Sequence, residues 1–190
     1  MDSGRRLAWR RIWLLASLAA LVAVGCSRTQ TGDEAVDAAL KAQGLSKETV
    51  YPLAGNVTVD GQAPKSEPKG NPMVIVLNDM SKPDVPPRER RRVVVNAQGE
   101  FAFTTYKEGD GVPAGKYVVT FAQFEYNKKK GLVGPDQLKN LYNDPDKNAQ
   151  KTEFVIDHQS GKSDCVFKLE VQGKEAETPG PHSLTEVLSK

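Results

Sequence analysis

Between residues 50 and 172, short apolar runs alternate with breaks rich in glycine, proline and asparagine, and this punctuation leaves little room for helix. Tyr51, Leu53, Val57 and Val59 alternate and stop at Asp60-Gly61, a common tight-turn pair. Residues 73–77 (MVIVL) form a continuous apolar run between Pro72 and Asn78-Asp79, the pattern of a strand buried on both faces at a sheet's centre. Residues 92–95, the turn Asn96-Ala97-Gln98-Gly99 and residues 101–106 predict a hairpin, with Gly99 where the backbone needs a positive φ. The glycine-rich stretch 108–115 excludes regular structure and delivers residues 116–124 (KYVVTFAQF), the strongest strand signal in the chain. Residues 151–156 and 163–171 predict two further strands joined around His158, with Cys165, Phe167, Leu169 and Val171 on one inward face. About seven short strands with turns between them predict an all-β, antiparallel β-sandwich.

The flanks differ in composition. Residues 26–49 read as a tether in which Val36, Ala39 and Leu40 form a weak helical stripe before Gly44. Residues 173–190 read as a flexible tail, with Ser183-Leu184-Thr185-Glu186 at capping-box spacing for one short helix.

At the N-terminus, Arg5, Arg6, Arg10 and Arg11 precede an apolar run over residues 12–24 that ends in Gly25-Cys26. Such a run rises only about 20 Å as a helix, short of a hydrocarbon core of roughly 30 Å, so residues 1–25 read as an export signal and not as a span. An uncleaved anchor, with Trp9 and Trp13 at the interface, is the alternative. Ala23-Val24-Gly25-Cys26 resembles the bacterial lipobox, in which the cysteine is acylated and becomes the first mature residue; Ala23 stands where that pattern prefers leucine. Two or three acyl chains on Cys26 imply stable anchoring to a membrane, because each buried methylene contributes about 0.8 kcal/mol. Ser27 stands where the familiar sorting rule places an inner-membrane aspartate, which favours the outer membrane.

Loss of residues 1–25 removes four arginines and Asp2, taking the balance from 26 basic and 24 acidic residues to 22 and 23. A nearly neutral chain without a reading motif argues against nucleic acid as a partner. The basic cluster Arg88-Glu89-Arg90-Arg91-Arg92 follows Pro83, Pro86 and Pro87 and reads as a solvated strand edge, with contact to a headgroup or polyanion as the sharper alternative.

The order Gly55-x-Val57-x-Val59-Asp60-Gly61, then Asn96-x-x-Gly99-x-Phe101, then Gly109-Asp110-Gly111 through Gly115-x-Tyr117-x-Val119, resembles the transthyretin-like (prealbumin-like), carboxypeptidase-regulatory-like modules. Leu141-Tyr142-Asn143-Asp144-Pro145 before a final strand adds to the likeness, whereas Lys147-Asn148-Ala149-Gln150 departs from it. The chain is similar to small lipoproteins of this type found in planctomycete bacteria. Over residues 50–172 the resemblance implies a seven-stranded, non-catalytic sandwich in the cell envelope, without cofactor, that contacts an envelope protein or a glycan.

Catalytic readings find little support in the residues. The chain has two histidines, His158 in an expected surface turn and His182 in the tail, and no Gly-x-Ser-x-Gly elbow. A weak hydrolase needs His158 gathered with Asp157 or Asp164. A metal site is not expected: Cys165 reads as a small buried apolar residue, and a ligand at His182 lacks rigid support. Calcium is the remaining ion, through Glu108 and Asp110 or Asp144 and Asp146, although the same acids make good turns by bonding to their own backbone. A glycan-binding role requires Tyr106, Tyr126 and Tyr142 to face solvent.

Overall fold

The computed structural model describes residues 32–180, apart from the side chains of Pro87, Leu132, Val133, Lys162 and Ser163. The expected export signal, Cys26, His182 and the capping-box segment lie outside the described residues. The chain forms two compact units, one ending at Gln43 and the other beginning at Gly44. In the first, helix α1 spans Gly32–Ala42, with Asp33 and Glu34 in its first turn and Lys41 in its last, an order that suits the helix dipole. None of its residues is buried, as expected of so weak an apolar stripe. Among the described residues no helix is long and apolar enough to cross a membrane.

The second unit is mostly β. Its strands are β1 Val50–Tyr51, β2 Leu53–Val59, β3 Met73–Asp79, β4 Arg91–Val94, β5 Glu100–Ala102, β6 Val112–Pro113, β7 Gly115–Gln123, β8 Glu125–Asn127, β9 Gly131–Val133, β10 Val155–His158 and β11 Lys162–Leu169, with a short helix α2 at Pro145–Asn148. One sheet has the order β10-β7-β3-β4 and another β11-β2-β5, while β1-β6 and β8-β9 form two-stranded ribbons. The continuous apolar run of β3 lies inside the four-stranded sheet, between β7 and β4, as its composition predicts.

Strand alternation builds the core. Ile75 pairs with Phe121 and Leu77 with Val119, so these residues share a face, while Phe167 pairs with Val57 in the other sheet. The Phe121 ring meets Phe167 edge-on at 5.0 Å, and Phe167 stacks on Phe101 at 5.9 Å. Rings from both sheets therefore interleave, which packs the sheets face to face. Fully burying each large apolar side chain contributes roughly 1.5–3 kcal/mol.

Four expectations are corrected. Residues 92–106 do not form a hairpin: β4 pairs with β3 and β5 pairs with β2, so the turn at 96–99 carries the chain from one sheet to the other. The turn is closed by Gly99 N–H donating to Asn96 O at 3.1 Å, and Val57 N–H donates to Gly99 O at 2.8 Å. A side chain on Gly99, at φ 88°, would collide with the Val57 carbonyl. The second correction concerns β11, which runs parallel to β2; all other pairings are antiparallel among the described strands. Gly55 permits this close approach, because a Cβ there would overlap the Cys165 backbone. The far end of the pair is tied by Asp60, whose carboxylate accepts from Val171 N–H at 2.8 Å and Gln172 N–H at 3.1 Å.

The third correction falls on residues 151–154, where a 3-10 turn at Thr152–Phe154 replaces strand. That turn drives Phe154 into the core against Phe121 at 5.7 Å. Lastly, residues 173–180 are held in place and not loose: Glu177 N–H donates to Lys139 O at 2.8 Å, Asn140 Nδ2 donates to Glu177 O at 2.8 Å, and Lys147 pairs with the Glu177 carboxylate.

Candidate functional site

Of the four acids singled out in the sequence, Asp110 and Asp144 serve the backbone. Asp110 accepts N–H bonds from Thr105 at 2.7 Å, Tyr106 at 3.0 Å and Lys107 at 3.1 Å, closing the glycine-rich loop on itself. Glu108 points into solvent beside it. Asp144 is buried and caps α2, taking Asp146 N–H at 2.9 Å and Lys147 N–H at 3.4 Å, with Pro145 pre-set for the first helical position. Asp146 is exposed. No group of three metal-ligating side chains forms among the described residues.

The three tyrosines do not share one environment. Tyr142 is buried, against the solvent-facing role considered for it, and its hydroxyl accepts Glu170 N–H and donates to Glu170 O, both at 2.9 Å. Ring contact with Phe154 at 5.6 Å makes it part of the core. Tyr106 is half-buried; its hydroxyl accepts Glu48 N–H at 2.8 Å and Lys47 lies over its ring at 5.3 Å. Lys47, Glu48, Lys107 and Asp110 line a broad, open hollow of about 530 Å³ nearby. Tyr126 alone of the three is exposed.

His158 is not on the surface. It ends β10, only 1% exposed, because its pairing with Gly115 turns the ring inward beneath Tyr51. Its Nε2 lies 3.2 Å from the Tyr51 carbonyl, within hydrogen-bond reach, and the buried Nδ1 has no hydrogen-bond partner among the described residues. Asp157 and Asp164 are exposed, so neither is gathered with this ring in the way a weak hydrolase requires. Cys165 is buried, as expected.

A better-defined site lies elsewhere. A cleft of about 350 Å³ opens beside the end of β3 and the start of β7, the inner strands of the four-stranded sheet, walled by residues from the segment 80–90 on one side and by Pro145, Asp146 and Ala149 on the other. Its volume falls in the range of small-ligand pockets. Pro83, Pro86 and Pro87 stiffen the first wall, and Glu89 N–H donates to Pro86 O at 2.8 Å to close its turn. At the rim, Asp79 Oδ1 accepts both the N–H and the hydroxyl of Ser81, at 2.8 and 2.6 Å.

Arg90, like Asp79 and Arg91, lines this cleft half-buried. Its Nη1 donates to Asn78 Oδ1 at 2.6 Å and its Nε to Val85 O at 3.0 Å. Asn78 is fixed in turn by donating to Val118 O at 2.8 Å and Thr120 Oγ1 at 3.1 Å. Burial lowers the basicity of Arg90, and Asp146 opposes that shift; a guanidinium nevertheless stays charged at neutral pH. The basic run thus divides. Arg88 sits beside Glu89 at 3.7 Å and Arg91 beside Glu48 at 3.2 Å, while Arg92 is exposed, as a solvated edge requires. Strand alternation gives no warning of this: it would place Arg90 with Arg92 and Val94, which are exposed, and Arg90 precedes β4 and is covered by the segment before it.

Sequence reasoning also passed over Asp136, which is 3% exposed and organises the connector after β9. It accepts from Gln123 N–H at 2.9 Å, Leu138 N–H at 3.0 Å, Asn140 N–H at 3.3 Å and Asn143 Nδ2 at 3.2 Å. Comparisons of the chain with protein-family models, with curated proteins and with solved structures return no match.

Proposed function

We propose that this protein is a lipid-anchored module of the cell envelope, without catalytic activity, that binds through a transthyretin-like sandwich of seven principal strands. The observation that carries the reading is Cys26 placed directly after Gly25 at the end of a short apolar run with arginines before it. The four-stranded and three-stranded sheets around one aromatic core agree with such a sandwich. The cleft at Arg90 supports a binding role, and Ser27 supports the outer membrane as the site of anchoring. The histidine argument supports the non-catalytic part: His158 is buried against a carbonyl, away from exposed acids.

Intact-mass measurement of protein extracted from bacterial membranes tests the proposal. The expected product begins at Cys26 and carries added acyl mass, which the Cys26→Ala variant lacks. A soluble product of the native sequence without acyl mass overturns the anchor.

A further inference from the structure

We propose that the cleft holds a small organic acid with a single negative charge, its carboxylate on Arg90 and its apolar body against Val85, Val118 and Pro145. This deepens the binding role above but is independent of the lipid on Cys26, which the mass measurement tests separately.

The argument begins with charge. A guanidinium has five N–H donors, and Arg90 spends one Nε and one Nη1 bond on Val85 O and Asn78 Oδ1. Both acceptors are neutral. Among the described residues no carboxylate forms an ion pair with Arg90. Asp146 acts on Arg90 only through space, and half-burying a cation without a directly bonded anion is unfavourable, whereas a planar carboxylate matches the fork geometry of the remaining donors. The two existing bonds fix the side chain before a ligand arrives, which reduces the ordering entropy that binding must overcome.

The surrounding groups narrow the class. The cleft is also lined by Lys82 and Arg91 and by Asp79, Asp84, Glu89 and Asp146. Arg91 is engaged by Glu48, Glu89 lies beside Arg88 and Asp79 is taken by Ser81. Asp84 and Asp146 remain exposed at the rim. With four acids against three bases, a phosphate or other dianion meets about twice the repulsion of a monoanion, while a single guanidinium balances only one negative charge. Leu77, Val85, Val118, Pro145 and Ala149 offer the ligand body an apolar lining.

The test is a titration of the full chain, in a zwitterionic detergent, with benzoate, benzamide and phenyl phosphate, followed by NMR at the backbone amides of Asn78 and Val118. Benzoate is expected to shift both amides saturably, with an affinity at least about tenfold above that of benzamide, since a charge-assisted bidentate contact is lost in the amide. Phenyl phosphate is expected to bind more weakly than benzoate. Arg90→Gln is expected to remove the preference for benzoate over benzamide. Should that variant fail to fold, the three ligands on the native chain decide alone. Equal affinity for benzoate and benzamide, tighter binding of phenyl phosphate, or shifts confined to other residues would each overturn the proposal.

Discussion

The loop closed by Asp110 and the connector built on Asp136 are irregular segments organised in the same way, by a carboxylate collecting N–H donors, yet their acidities move in opposite directions. Burial pushes the Asp110 carboxyl up, but the bonds from Thr105, Tyr106 and Lys107 outweigh it and hold the group below the ordinary aspartate range. At Asp136 burial is larger and wins, so the carboxyl lies above that range despite its four donors. Hydrogen bonds to the charged form favour ionisation, and exclusion of water opposes it. The difference teaches that solvent access, more than the number of donors, separates an adaptable surface turn from a buried keystone.

The sharpest break of this comparison comes from Asp136→Ala, which strands several buried N–H groups and is expected to cost at least about 3 kcal/mol in urea unfolding. A loss no greater than that of Asp110→Ala would abolish the distinction. Gly111→Ala follows at about 2–3 kcal/mol, because Gly111 holds φ 90° and a Cβ there would run into the Tyr51 carbonyl. That result shows that the surface loop depends on its backbone more than on its carboxylate. Tyr142→Phe should lose about 1–2 kcal/mol, since the Glu170 backbone groups lose their hydroxyl partner at the connector. Asp110→Ala should lose about 1 kcal/mol or less, because water replaces much of what the carboxylate supplies.

The smallest effect is one of pH. The raised folded pKa of Asp136 means that the folded state holds its proton more tightly than the unfolded chain. Its contribution to stability is therefore greatest below the unfolded value of about 3.9, and declines as pH rises towards the folded value. Asp110 has the opposite sign: its contribution is present above the unfolded value and is lost as pH falls through the lowered folded one. Unfolding measured against pH should show the first slope missing in Asp136→Asn and the second missing in Asp110→Asn. An unchanged profile in both variants would refute the assignment.

Much of the fold was legible in local pattern. β3 falls where a continuous apolar run predicts it and β7 where the strongest strand signal lies, β2 stops where Asp60-Gly61 predicts, and Cys165, Phe167 and Leu169 alternate inward along β11. The candidate site was far less legible. Arg90 was one arginine in a basic run and Asp136 one acid in a polar stretch, because nothing in neighbouring residues reports whether a charge will meet water. His158 had turn-like neighbours, and its burial follows from β10 pairing with β7 and from Tyr51, more than a hundred positions earlier.

The sequence by itself determined where the principal strands β2, β3, β7 and β11 lie, since a period of two and the need for glycine at positive φ are properties of adjacent residues. It likewise carries the apolar run and Cys26 on which the proposed anchor rests. Only the tertiary structure decided that β4 and β5 part into different sheets, that β11 joins β2 in parallel, and that Arg90 is drawn into a cleft while Arg92 stays outside. The physical reason is that an edge, a dielectric environment or a counterion is supplied by segments far apart in the chain. Their effect arises only when the core has brought them together.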